Sequence, residues 1–187
     1  RFDLPIALGI LAASGQIRRE ALADYEFLGE LSLTGELRAV DGVLPAALAV
    51  AACGRTLVVP EPSGAEAALA HQGRALTART LLEVCAQLEG RKTLPDAVAP
   101  PALPATIPDM ADVRGQAHAR RALEVAAAGG HHLLLIGSPG CGKTLLASRL
   151  PGLLPEANDT EAMEAAAIAS VSGRGLDPAR WRQRPYR

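Results

Sequence analysis

The chain has 187 residues, 49% of them hydrophobic and 21% charged, with a net charge of −1. That length carries one domain or two small ones with buried cores, and the composition excludes a disordered chain. No apolar run approaches the ~20 residues that cross a bilayer, and near-neutrality excludes a global pull toward nucleic acid or anionic membrane. Three widely spaced cysteines, Cys53, Cys85 and Cys141, form no CxxC pair. They argue against a disulfide framework or zinc site and fit a reducing, cytoplasmic setting. There is no signal-peptide pattern, and the chain opens on Arg1 in apolar sequence, so a piece of a longer protein is expected.

In chain order, residues 4–13 read as a buried helix with Pro5 near its start and Gly15 past its end. Residues 26–33 and 36–40 read as two strands around Thr34-Gly35, and 43–53 as an apolar helix closed by Gly54. A buried strand at 56–60, a small helix at 64–73, a strand at 75–78 and an amphipathic helix at 79–90 follow. Strands alternating with helices imply an α/β layer. Prolines 95, 100, 101, 104 and 108 then mark an extended linker over 91–108, separating a domain at 1–90 from another at 109–187. The second domain reads as a helix at 116–128, an apolar strand at 132–136, a helix over 142–150 stopped by Pro151-Gly152, and a helix at 159–170 capped by Asp159 or Thr160.

Between the strand at 132–136 and the next helix lies Gly137-Ser138-Pro139-Gly140-Cys141-Gly142-Lys143-Thr144, a complete GxxxxGK[ST] phosphate loop. Glycine lets backbone approach a phosphate without a side chain in the way, and the loop N–H groups then face the anion. Lys143 reaches the β and γ oxygens as a mobile point charge, and the Thr144 hydroxyl is placed to ligate Mg²⁺. The chain has only two lysines, Lys92 and Lys143, against seventeen arginines, and Lys143 is the one the loop requires. ATP with Mg²⁺ is therefore the expected ligand. Cys141 reads as a small residue at a variable loop position, with a thiol whose modification could block the site as the sharper alternative.

Residues 113–155, above all GGHHLLLIGSPGCGKT, and the tail GLDPARWRQRPYR resemble the YifB/ComM family of magnesium-chelatase-like AAA+ ATPases. The first 90 residues are similar to the Lon-protease-like domain that precedes the ATPase module in that family. The resemblance implies an α/β chain: a Lon-protease-like α+β domain, then the N-terminal part of a P-loop AAA+ three-layer α/β/α domain. It implies that Val113 and Arg114 wall the adenine pocket. It also implies an ATP-driven motor, hexameric when complete, performing branch migration or helicase work on DNA during uptake and recombination. Aligned on Thr34-Gly35-Glu36, the Lon-type Ser–Lys pair falls on Asp3 and Leu44, neither of which serves as nucleophile or base, and Ser14 and Ser32 have no lysine before Lys92. No peptidase activity is expected.

After Thr144 the acidic residues are Glu156, Asp159, Glu161, Glu164 and Asp177, and none ends an apolar strand as an Mg²⁺-holding pair would. The expectation is a chain that stops before its Walker B, sensor and arginine-finger residues. The Arg-rich end (Arg174, Arg180, Arg182, Arg184, Arg187) reads as a solvated face in preference to a DNA contact, with Trp181 and Tyr186 as core anchors in preference to base-stacking platforms. His131-His132, adjacent on a strand, would face opposite sides and could not share one metal. Two rival readings stand: the ATPase subunit of a magnesium chelatase acting on a porphyrin, which is not expected to carry the Lon-like domain, and a non-enzymatic scaffold with a residual nucleotide site.

Overall fold

Pro5 falls in the first turn of a helix, where no N–H is needed, so Asp3–Ala13 forms α1 and Gly15, at φ 74°, turns the chain away. The structure, a computed structural model, describes residues 2–71, 73–101, 107–172 and 176–184. It divides into two units: Arg1–Leu103 with Met163–Trp181, and Pro104–Ala162 with Arg182–Arg187.

In the first unit, β1 (Tyr25–Phe27), β4 (Thr56–Pro60) and β5 (Arg74–Ala78) form a parallel sheet in the order β1-β4-β5. β2 (Glu30–Leu31) and β3 (Leu37–Arg38) form a separate antiparallel pair around Thr34-Gly35. The single strand expected over 26–33 is thus broken. At Gly29 the carbonyl accepts from Leu4 N, and a Cβ there would lie 3.3 Å from Pro60, so the chain leaves the first sheet.

Helices α2 (Val43–Ala52) and α3 (Gly64–Ala67) cover one face of the parallel sheet, and α1 and α4 (Leu81–Leu88) the other. The alternation is legible in β4: Leu57 and Val59 join the α2/α3 cluster while Val58 joins the α1/α4 cluster. A strand buried on both faces has to be apolar throughout, as 57–59 are. Each such side chain contributes about 1.5–3 kcal/mol on burial.

Three further expectations are corrected in this unit. The helix at 64–73 ends at Ala67, because Leu69 and Ala70 both enter the core and their N–H groups bond three residues back in turns. The proline-rich stretch begins as part of the sheet edge: Pro95 O accepts from Thr77 N at 2.9 Å, Ala97 N donates to Ala75 O at 2.8 Å, and Leu94 is buried. Proline lacks a donor but suits an edge that needs only its carbonyl. Residues 102–106 of the expected linker lie outside the described residues. Residues 163–181 belong to the first unit, with Ala166, Met163, Leu176 and Trp181 in the α2/α3 cluster.

The second unit holds α5 (Ala117–Gly129), α6 (Lys143–Ala147), α7 (Leu150–Leu153) and the start of α8 (Asp159–Val171). Among the described residues it contains no strand. Pro151-Gly152, expected as a stop, lies inside α7, where proline occupies the first turn. The cap of α8 is Asn158, not Asp159 or Thr160: Asn158 Oδ1 accepts from Glu161 N at 2.9 Å and Glu161 Oε2 accepts from Asn158 N at 3.1 Å. The fold is a mixed α/β one with a parallel sheet, and among the described residues no helix is long and apolar enough to cross a membrane.

Candidate functional site

The phosphate-loop segment lies between α5 and α6. Gly130, at φ 63°, ends α5 with a left-handed turn. Residues 132–136, expected as a strand, pair with no strand among the described residues. Their side chains still alternate: Leu135 packs against the Met110, Val113, Leu123 and Leu146 cluster, while Leu134 and Ile136 are 79% and 87% exposed. Five residues cannot satisfy their backbone groups as a strand without a neighbour to pair with.

In the loop, Gly140 and Gly142 have φ of 80° and 86°, values that L side chains rarely adopt. A Cβ on Gly137 would stand 2.8 Å from Cys141 Sγ, so a side chain there would force the thiol to move. Lys143 Nζ donates to Gly137 O at 2.8 Å and to Ser138 O at 2.7 Å, and lies 3.5 Å from Cys141 Sγ. Among the described residues no carboxylate pairs with it, so loop carbonyls hold a cation that no acid neutralises. Thr144 lies in the first turn of α6 and is exposed, as are Ser138, Pro139, Gly140 and Cys141. These features fit a nucleotide polyphosphate: glycines where side chains would intrude, an unneutralised ammonium, and an exposed hydroxyl beside it for a hydrated Mg²⁺.

Val113, expected beside the adenine, is a core residue of the second unit at 2% exposure, and Arg114 is exposed. What ties this stretch to the loop is a neighbour. Gln116 Nε2 donates to Cys141 O at 3.3 Å. Farther along, Arg149 Nη2 meets Asp112 Oδ2 at 3.1 Å and its Nη1 donates to Ser148 Oγ, while its buried Nε has no partner among the described residues. Neither Gln116 nor Arg149 is singled out by the sequence motif, which ends at Thr144 and begins at Gly137.

The remaining candidates are placed separately. Asp3 heads α1 and accepts from Leu31 N at 3.4 Å. Leu44 is fully buried in α2, and its N–H donates to Glu66 Oε1 at 2.9 Å. Glu66 also accepts from Ser170 Oγ, joining α3 to the late part of α8. Lys92 finds its role beside Glu83, at 2.7 Å, in a cleft of about 230 Å³ lined also by Glu61, Thr77, Arg79 and Pro95. The Lys92 hydrogen bond, then the Arg79 N–H, hold the Glu83 carboxyl below its usual range. Burial pushes the Cys85 thiol up. Of the Arg-rich end, Arg180, Arg182 and Arg184 face Asp177, Asp159 and Glu161 at 3.4, 2.7 and 2.8 Å, while Arg174, Tyr186 and Arg187 lie outside the described residues. Trp181 packs 5.9 Å from the His71 ring, with the α2/α3 cluster. Among the described residues no group of three or more His, Cys, Asp or Glu could hold a metal ion, His131 and His132 included.

Comparison with known proteins gives this geometry its class. Residues 109–187 match the family described as magnesium chelatase, subunit ChlI, and residues 1–63 match one described as subunit ChlI of Mg-chelatase. The chain is magnesium-chelatase-like in both of its parts. Over its whole length it is 47% identical to the competence protein ComM of Haemophilus influenzae and 45% identical to YifB of Escherichia coli K12. The chain belongs to the YifB/ComM family of magnesium-chelatase-like proteins. It spans 38% and 37% of the length of those two relatives. The match at 1–63 also changes one expectation: a first domain that itself carries the chelatase description does not separate a DNA motor from a chelatase subunit.

Proposed function

We propose that this chain carries the ATP·Mg²⁺ site of an AAA+ motor that works on DNA. The observation that carries the reading is the complete loop from Gly137 to Thr144, with the Lys143 ammonium turned onto loop carbonyls and paired with no acid among the described residues. Gly137, Ser138, Pro139, Gly140, Cys141, Gly142, Lys143 and Thr144 would hold the phosphates, and Thr144 the Mg²⁺. Val113 contributes through the core that backs the loop, and Arg114 from the surface beside it. Bound ATP supplies a phosphoanhydride whose hydrolysis releases free energy for mechanical work. This chain's residues bind and orient it, and Lys143 offsets the charge on its β and γ oxygens.

DNA as the object of that work rests on the 47% identity to a protein named for competence, over the whole chain. A homo-hexamer in the cytoplasm is the assembly we propose for the full-length protein. The domain at 1–90 is proposed as a Lon-like fold that keeps no Ser–Lys peptidase, since Leu44 has no titratable group and is fully buried. A second reading, the ATPase subunit of a magnesium chelatase, is favoured by the description attached to both family matches. ATP turnover by the full-length protein, with and without branched DNA and with Lys143→Ala as control, separates the two. Stimulation by branched DNA that the variant loses supports the motor. Turnover indifferent to DNA and raised by a magnesium-accepting porphyrin contradicts it.

A further inference from the structure

Among the described residues one non-glycine has a left-handed backbone: Gln116, at φ 52°. Glycine, asparagine and aspartate adopt that conformation far more readily than glutamine. Gln116 precedes α5 and so occupies its N-cap, yet its side chain makes no capping hydrogen bond to that helix. The carboxamide reaches instead across 25 positions of sequence to the phosphate loop, where Nε2 donates to Cys141 O at 3.3 Å. It also lies against Gly142, where a Cβ would meet Nε2 at 3.1 Å, so the carboxamide packs close to the glycine backbone and a side chain there would crowd it.

We infer that Gln116 is a positioning residue for the phosphate loop, holding the Cys141–Gly142 peptide in the orientation that receives a nucleotide phosphate. In a trans peptide the C=O and the following N–H point in opposite directions. Tethering the Cys141 carbonyl to Gln116 therefore commits the Gly142 N–H to the face away from Gln116. Gly142 is flexible at that point, and without the tether its peptide can rotate and present a carbonyl to an anion instead of a donor. The unfavourable backbone at 116 is the conformation that sends this side chain to the loop and not onto α5. This rests on the nucleotide-binding reading of the loop.

The test is equilibrium binding of N-methylanthraniloyl-ATP with Mg²⁺ to the full-length protein, alongside its melting temperature without nucleotide. Gln116→Gly removes the side chain and accepts the left-handed backbone. Gln116→Asn accepts that backbone too, but its amide is one methylene short. The expected result is a Kd raised about three- to tenfold in both variants, the range of one lost hydrogen bond, with a melting temperature at or above that of the wild type. A role confined to folding would lower the melting temperature and leave the Kd unchanged, and an unchanged Kd in both variants overturns the inference. Lys143→Ala, run in parallel, separates the two failures. If it binds like the wild type, the loop is not the nucleotide site, and the role of Gln116 falls with that reading.

Discussion

Lys143 and Lys92, the two lysines among seventeen arginines, have opposite surroundings. Lys143 lies on neutral carbonyls, while Lys92 is neutralised by Glu83. The second pairing has a pH signature. The Glu83 carboxyl titrates lower in the folded chain than its ordinary 4.5, so it stabilises the fold above that value. The contribution is lost as pH falls through the lower folded value. Denaturant midpoints measured between neutral pH and pH values below 4.5 are expected to fall further for the wild type than for Glu83→Gln. Equal falls would deny the pairing its energetic role. The thiols give a second residue-level prediction. Cys53 and Cys141 are exposed, whereas Cys85 is buried with its pKa raised. Iodoacetamide near neutral pH should label Cys53 and Cys141 well before Cys85, as read by mass spectrometry of timed samples. Early labelling of Cys85 would contradict its placement in the core.

At the scale of elements, legibility followed the reach of the signal. α1, α2, α4, α5 and α8 stand within about two residues of where their apolar runs and flanking glycines placed them, the usual uncertainty of a helix end. β4 is legible because a strand buried on both faces is apolar, as Leu57, Val58 and Val59 are, and β5 because Ala75, Leu76 and Ala78 form a short, largely apolar run. The break at Gly29 was not, because it depends on Leu4 and Pro60, distant in sequence. Nor was the edge pairing of residues 94–97, where Pro95, which suggests a linker, serves as an acceptor. Residues 132–136 differ from the expected strand for a related reason: an apolar alternation specifies a face, and pairing requires a neighbour. In the candidate site, the glycines and Lys143 were readable by motif. Gln116 was not, since its importance lies in a backbone angle and a contact with residue 141. Leu44 supplies the test at this scale. It is fully buried in α2, so Leu44→Ala should cost about 2–5 kcal/mol by denaturant unfolding. Leu44→Lys should destabilise at least as much and yield no peptidase activity, because it buries an unpaired charge. A Leu44→Lys protein that is stable and cleaves an unfolded protein substrate would overturn the reading of this domain.

For the molecule as a whole, the chain leaves the first unit, carries the phosphate loop in the second, and returns: α8 begins in the second unit and ends in the first. In the first unit Ser170 meets Glu66, which also binds the Leu44 N–H at the start of α2. Family membership embraces both parts, since residues 1–63 and 109–187 each match a chelatase-subunit family. We propose that the loop from Gly137 to Thr144 binds ATP with Mg²⁺. Calorimetric titration of ATP with Mg²⁺ into the full-length protein and its Lys143→Ala variant tests it most directly. Saturable binding is expected for the wild type, weakened at least about tenfold in the variant by the loss of a charge-assisted contact to phosphate. Equal affinity in both proteins, or no binding by a folded wild type, would contradict it.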